Sequence, residues 1–165
     1  MSRVQVSILG VLILISFVLT TISTFTKYWI VWHNGLFKGH FGIVPFQSYE
    51  PGWLSTASWC MFGAFGAFFP LFALYAFSVF KVYRQGCSHG VRINFFGILI
   101  FCLLIACLQV TAFTFTAINV VNFKFWMTTV VNQSMGSSAF LAIISAVVAC
   151  LATALAGNIA KRYCN

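Results

Sequence analysis

Four long stretches without a charged residue divide this chain: 4–26 between Arg3 and Lys27, 51–80 between Glu50 and Lys81, 93–123 between Arg92 and Lys124, and 125–160 between Lys124 and Lys161. A helix needs about 20 apolar residues to cross the hydrocarbon core of a bilayer, so each stretch can span once. Trimmed of their polar ends, the stretches predict helices over about 5–26, 54–80, 93–119 and 136–160. The connection 81–92, "KVYRQGCSHGVR", is short enough to force the second and third helices into an antiparallel hairpin. Four such spans make an up-down bundle. The predicted fold is therefore an all-α membrane protein, a single tetraspan domain over 1–165 with a short loop region. Arg3 ahead of an apolar run also fits a signal peptide; we read the run as an uncleaved first span.

In lipid, Leu and Phe gain little by moving against protein, so small residues mark the close helix contacts. In the fourth helix Ser138, Ala142, Ala146, Cys150 and Ala154 recur every four residues, and Ser145, Ala149, Thr153 and Gly157 form an adjacent row. The two rows predict a broad packing face. Gly63, Gly66 and Ala67 make a shorter patch in the second helix. Packing within the bundle accounts for these rows; a docking face for another membrane protein is the alternative. Gln109, mid-span in the third helix, should turn into the bundle and bond to a hydroxyl or a backbone carbonyl.

Composition sharpens the membrane reading. The chain is 61% hydrophobic and 6% charged, against about 25% charged in a soluble domain. Its net charge of +8 comes from basic residues in ones and twos beside apolar runs, the pattern of membrane flanks rather than of a nucleic-acid surface. With both termini on one side, that side carries six of the Lys and Arg (Arg3, Lys81, Arg84, Arg92, Lys161, Arg162) and the other carries Lys27, Lys38 and Lys124. The positive-inside bias puts both termini in the cytoplasm. The sequon Asn132-Gln133-Ser134 then faces outward as a candidate N-glycosylation site, close to the fourth helix.

Candidate chemistry is thin. Glu50 is the only acidic residue, so paired carboxylates for acid–base work or for a metal cage cannot be assembled. The six cysteines, at 60, 87, 102, 107, 150 and 164, include no Cys-x-x-Cys pair, which argues against a thiol oxidoreductase. Cys87 and Cys164 lie among basic residues at the cytoplasmic flank, a common setting for palmitoylation. The histidines, His33, His40 and His89, lie outside the spans, so no bis-His haem site fits the bundle. His33 and His40 read better as solvated loop residues than as metal ligands, and the sequence calls for no cofactor.

The stretch "KYWIVWHNGLFKGH" at 27–40 carries the most specific signal. Trp29 and Trp32 can sit as an aromatic belt at the membrane interface. The order of features goes further: a Thr/Ser-rich helix end, "TTISTFT", runs into Lys27-Tyr28-Trp29, and Gly35-Leu36-Phe37 follows. This resembles the claudin, peripheral myelin protein and channel gamma-subunit superfamily of tetraspan proteins. Trp29 matches the tryptophan that opens the family's first extracellular segment, and Gly35-Leu36-Phe37 matches its Gly-Leu-Trp motif with Phe in place of Trp. The cysteine pair that accompanies the motif is absent, and the first loop is short. The resemblance implies a small extracellular β-sheet without its disulfide, in need of support from a partner.

These features predict a non-enzymatic plasma-membrane protein, an auxiliary or organising subunit of a larger membrane protein or channel complex. Its partners would be another integral membrane protein and membrane lipids. The expected partner-binding loop is Trp29, Trp32, Gly35, Leu36 and Phe37. Two alternatives stand beside it: a junction or adhesion protein self-associating through its outer loops, and a small lipid-handling enzyme or transporter.

Overall fold

A computed structural model describes residues 3–34, 37–44, 52–85, 89–120 and 132–162. Helix α1 spans Arg3–Phe25, α2 Gly52–Gln85, α3 His89–Val120 and α4 Ser137–Arg162. Strands β1 (Ile30–Asn34) and β2 (Phe37–Phe41) lie between α1 and α2, and β3 (Asn132–Met135) lies just before α4. All four helices are long and apolar enough to cross a membrane.

Each helix buries a seam whose steps alternate between three and four residues. In α1 the seam is Val6, Leu9, Ile13, Ser16, Thr20 and Ser23, all 3% exposed or less. In α4 it is Ser138, Ala142, Ser145, Ala149, Ala152, Ala156 and Ile159, all 2% exposed or less. The buried residues of α2 (Leu54, Ala57, Met61, Ala64, Phe68, Leu71) and of α3 (from Val91 and Phe95 to Gln109 and Ala112) keep the same rhythm. A mean step of about 3.5 residues keeps a seam facing its neighbours along the whole helix, as in coiled coils.

This rhythm corrects the packing face expected for α4. A row at every fourth residue advances by about 40° per step on a helix of 3.6 residues per turn. Ser138, Ala142 and Ala146 are buried, Gly157 is half-buried, and Cys150 and Ala154 have rotated out to the exposed side. The patch on α2 is split: Gly63 and Gly66 are exposed, and a Cβ on Gly66 would meet nothing, whereas Ala67 is half-buried against the core.

Helices α2 and α3 run well past the uncharged stretches that marked them. At 34 and 32 residues they are ~50 Å long, against roughly 30 Å of hydrocarbon. Hydropathy locates the part of a helix that sits in lipid, whereas hydrogen bonding carries the helix on through Lys81, Arg84 and Arg92.

The principal helix contacts are α2 with α3, α3 with α4, and α1 with α4, while α1 and α2 meet over less backbone. Phenylalanine rings fill that wider gap. Phe17 stacks on Phe65 with centroids 5.7 Å apart and meets Phe68 and Phe72 edge-on at 5.3 and 5.2 Å. Toward the sheet end, Phe25 meets Phe62 and Phe65 edge-on. At the other end the approach is close again: Tyr75 donates its hydroxyl to the Val6 carbonyl at 3.0 Å, across Gly10, where a Cβ would collide with the tyrosine ring.

Hydroxyls inside the spans bond mostly to their own helix. Thr20, Thr24, Ser58, Ser78, Thr116 and Thr153 each donate to the carbonyl four residues back. This local bond satisfies a group that hydrocarbon cannot.

Candidate functional site

The end of the bundle carrying the strands is where this chain departs from four plain helices. The sheet has the order β2-β1-β3, antiparallel throughout. Ile30 pairs with Phe41 on one side and with Met135 on the other, so the sheet joins the α1–α2 connection to the α3–α4 connection. Alternation then sets its two faces. Ile30, Phe41 and Met135 turn toward the helix ends and pack with Leu54, Ala57, Met61 and Ala139. Val31, His33, Lys38, His40 and Ser134 share the opposite face, on which His33, Lys38, His40 and Ser134 are exposed.

Trp29 fastens this sheet to the bundle. It is 0% exposed, so it forms neither an interfacial belt nor an accessible recognition surface, contrary to the expectation from sequence. Its indole Nε1–H donates to the Ser23 carbonyl at 2.6 Å, in the last turn of α1. Its backbone N–H donates to Phe41 O at 3.0 Å, and its carbonyl accepts from Gly136 N at 2.8 Å. A single residue thus touches α1, β2 and the residue that leads into α4. A Cβ on Gly136 would collide with the Tyr28 carbonyl, so only glycine permits the crossing. Support that a disulfide or a partner would otherwise lend is supplied by the chain itself.

Trp32 is half-buried. It lies across β2 at Gly39, where a Cβ would run into the indole ring. Tyr28, exposed beside the sheet, meets His40 edge-on with ring centroids 4.6 Å apart. The exposed face therefore carries His33, Lys38 and His40, with exposed Lys27 beside it. Among the described residues no group of three His, Cys, Asp or Glu could hold a metal ion.

Below the sheet, hydroxyls join α1 to α4 at two levels one heptad apart, and α3 enters at the lower one. At the upper level Ser23 donates to the Ser138 carbonyl at 2.7 Å, and Thr26 Oγ1 lies 2.6 Å from Ser138 Oγ. At the lower level Ser145 donates to the Ser16 carbonyl at 2.8 Å, with the Ser16 hydroxyl 2.9 Å from its own. Gln109 reaches in from α3 and donates both amide protons, to Thr20 Oγ1 at 2.6 Å and to Ser145 Oγ at 3.1 Å. Gln109 Oε1 is buried without a hydrogen-bond partner. The sequence singled out Gln109 but not its partners, because serine and threonine in a span read as ordinary small residues until their facing helix is known.

Of the other residues expected to act, Gly35, Leu36, Cys87 and Cys164 lie outside the described residues. Phe37 pairs with Asn34 at the turn end of β2, and Asn132 pairs with His33 in β3.

Four membrane-length helices capped at one end by a sheet drawn from two connections define a tetraspan membrane protein with a small extramembrane cap. The family model described as "Tight junction protein, Claudin-like" matches residues 1–165, the whole chain, and the chain belongs to that family. No curated protein sequence matches it.

Proposed function

We propose that this claudin-like protein is a non-enzymatic organising subunit of the plasma membrane that associates laterally with another integral membrane protein. In this reading both termini are cytoplasmic and the sheet is extracellular. The observation that carries it is the division of surfaces. The α1, α3 and α4 seams and the inner face of the sheet are spent on the chain's own packing. Exposed surfaces include the polar sheet face of His33, Lys38 and His40 and the Trp59, Gly63 and Gly66 side of α2. The first suits an acidic surface on a partner's extracellular part, and the second suits close approach of a helix in lipid.

A second reading, cell–cell association through the sheet face, is favoured by the tight-junction description of the family. The two separate on the double variant Lys38→Glu/His40→Glu. Lateral association predicts loss of a co-purified membrane protein with no change in clustering of cells that express the chain. Adhesion predicts loss of clustering, and clustering lost with the lateral complex intact would overturn the proposal.

A further inference from the structure

We infer that the outer face of the sheet binds an acidic segment of a partner protein with uptake of protons, so that docking strengthens as the surroundings acidify. This rests on the docking role proposed above for that face. In the register of β1 and β2, His33 stands directly opposite Lys38, and His40 follows Lys38 by two residues on β2, on the same face. All three are exposed. Exposed Lys27 stands at the far end of β2, where a Cβ on Gly42 would meet its backbone. Tyr28 meets His40 edge-on, and Ser134, exposed on β3, adds a neutral hydroxyl. Among the described residues no acidic side chain faces this row; Glu50 and Lys124 lie outside them.

The fixed charges of the row are Lys27 and Lys38. Histidine is the side chain whose charge changes between about pH 8 and pH 5, so acidification adds one charge at His33 and one at His40. Directly opposed side chains in an antiparallel pair have Cβ atoms about 4.5–5.5 Å apart, and like charges there repel. A proton on His33 therefore opposes the Lys38 ammonium, and one on His40 adds to the same field from two residues along the strand. Carboxylates laid over the row remove that repulsion. Each protonation then favours the acidic ligand, and by the reciprocity of linked equilibria the ligand favours each protonation. The row runs along β2 from Lys38 to the Gly42 end, so it matches a run of carboxylates on an extended segment better than a single anion.

The test is calorimetric titration of a ten-residue oligo-aspartate peptide into the full-length protein in phosphatidylcholine nanodiscs at pH 7.5, 6.5 and 5.5. Affinity should rise several-fold from the first to the last. At pH 6.5 the heat should depend on the ionisation enthalpy of the buffer, the signature of proton uptake. His33→Gln/His40→Gln should keep the affinity seen at pH 7.5 and lose both the rise and the proton uptake. His89→Gln, at the first residue of α3, should keep both. Lys38→Gln should weaken binding at every pH while the rise remains. No binding at any pH would overturn the docking role and the coupling with it. Binding without a rise, or a rise that survives His33→Gln/His40→Gln, would overturn the proton coupling alone.

Discussion

The indole of Trp29 donates its N–H to the carbonyl of Ser23, six residues back, at 2.6 Å, and the sheet hangs on that bond and on the burial around it. Trp29→Ala should cost about 3–5 kcal/mol, the range for truncating a buried aromatic. Hydrogen exchange over 30–41 should rise sharply while the mid-span amides stay protected. Trp29→Phe keeps most of the burial and should cost clearly less. Equal protection of the sheet in the alanine variant would mean that it is held elsewhere.

Gly136 and Gly66 make a contrasting pair. A methyl on Gly136 meets backbone, whereas one on Gly66 meets open space. Gly136→Ala should break the bonds from Gly136 N to Trp29 O and from Ser138 N to Tyr28 O, at a cost of about 2 kcal/mol or more. Gly66→Ala should leave the thermal midpoint within a degree or two of the parent's.

On α4 the seam makes Ala149 and Ala154 unequal. Ala149 is 2% exposed against its neighbours, so Ala149→Leu overpacks the bundle and should cost roughly 1–3 kcal/mol. Ala154 faces outward, and Ala154→Leu should be close to neutral. Comparable losses at the two positions in a denaturation series would favour the every-fourth-residue row instead.

Gln109 and Thr20 should be energetically coupled. A double-mutant cycle of Gln109→Ala and Thr20→Val should give about 0.6 kcal/mol, reaching at most roughly 2, the range for polar contacts between membrane helices. Strict additivity would mean that the 2.6 Å contact adds no stability. Gln109→Leu should be better tolerated than Gln109→Ala, since it removes the unpartnered Oε1 while filling the space.

Much of this architecture was legible in the sequence. The spacing of charges located four spans, and Trp29 with the Gly-Leu-Phe motif pointed to the claudin-like superfamily that the match over residues 1–165 shows. The role of Trp29 was not legible, because a tryptophan after a membrane helix satisfies an interfacial belt and a buried anchor equally well. Only the positions of Ser23, Phe41 and Gly136 decide between them. Cys150 and Ala154 fit the expected packing face in sequence but not in the fold, because a period of four and a period of 3.5 agree over two turns and part over four. Strand β3 was invisible for another reason: "NQSM" has no alternation of its own and becomes a strand by pairing with β1.

The central claim, lateral association with a second membrane protein, is tested most directly by isolating the full-length chain from its native membranes in a mild detergent and measuring the composition of the complex. The account predicts a second integral membrane protein at fixed stoichiometry, lost from the Lys38→Glu/His40→Glu variant. A lone chain, or copies of this chain only, would contradict it.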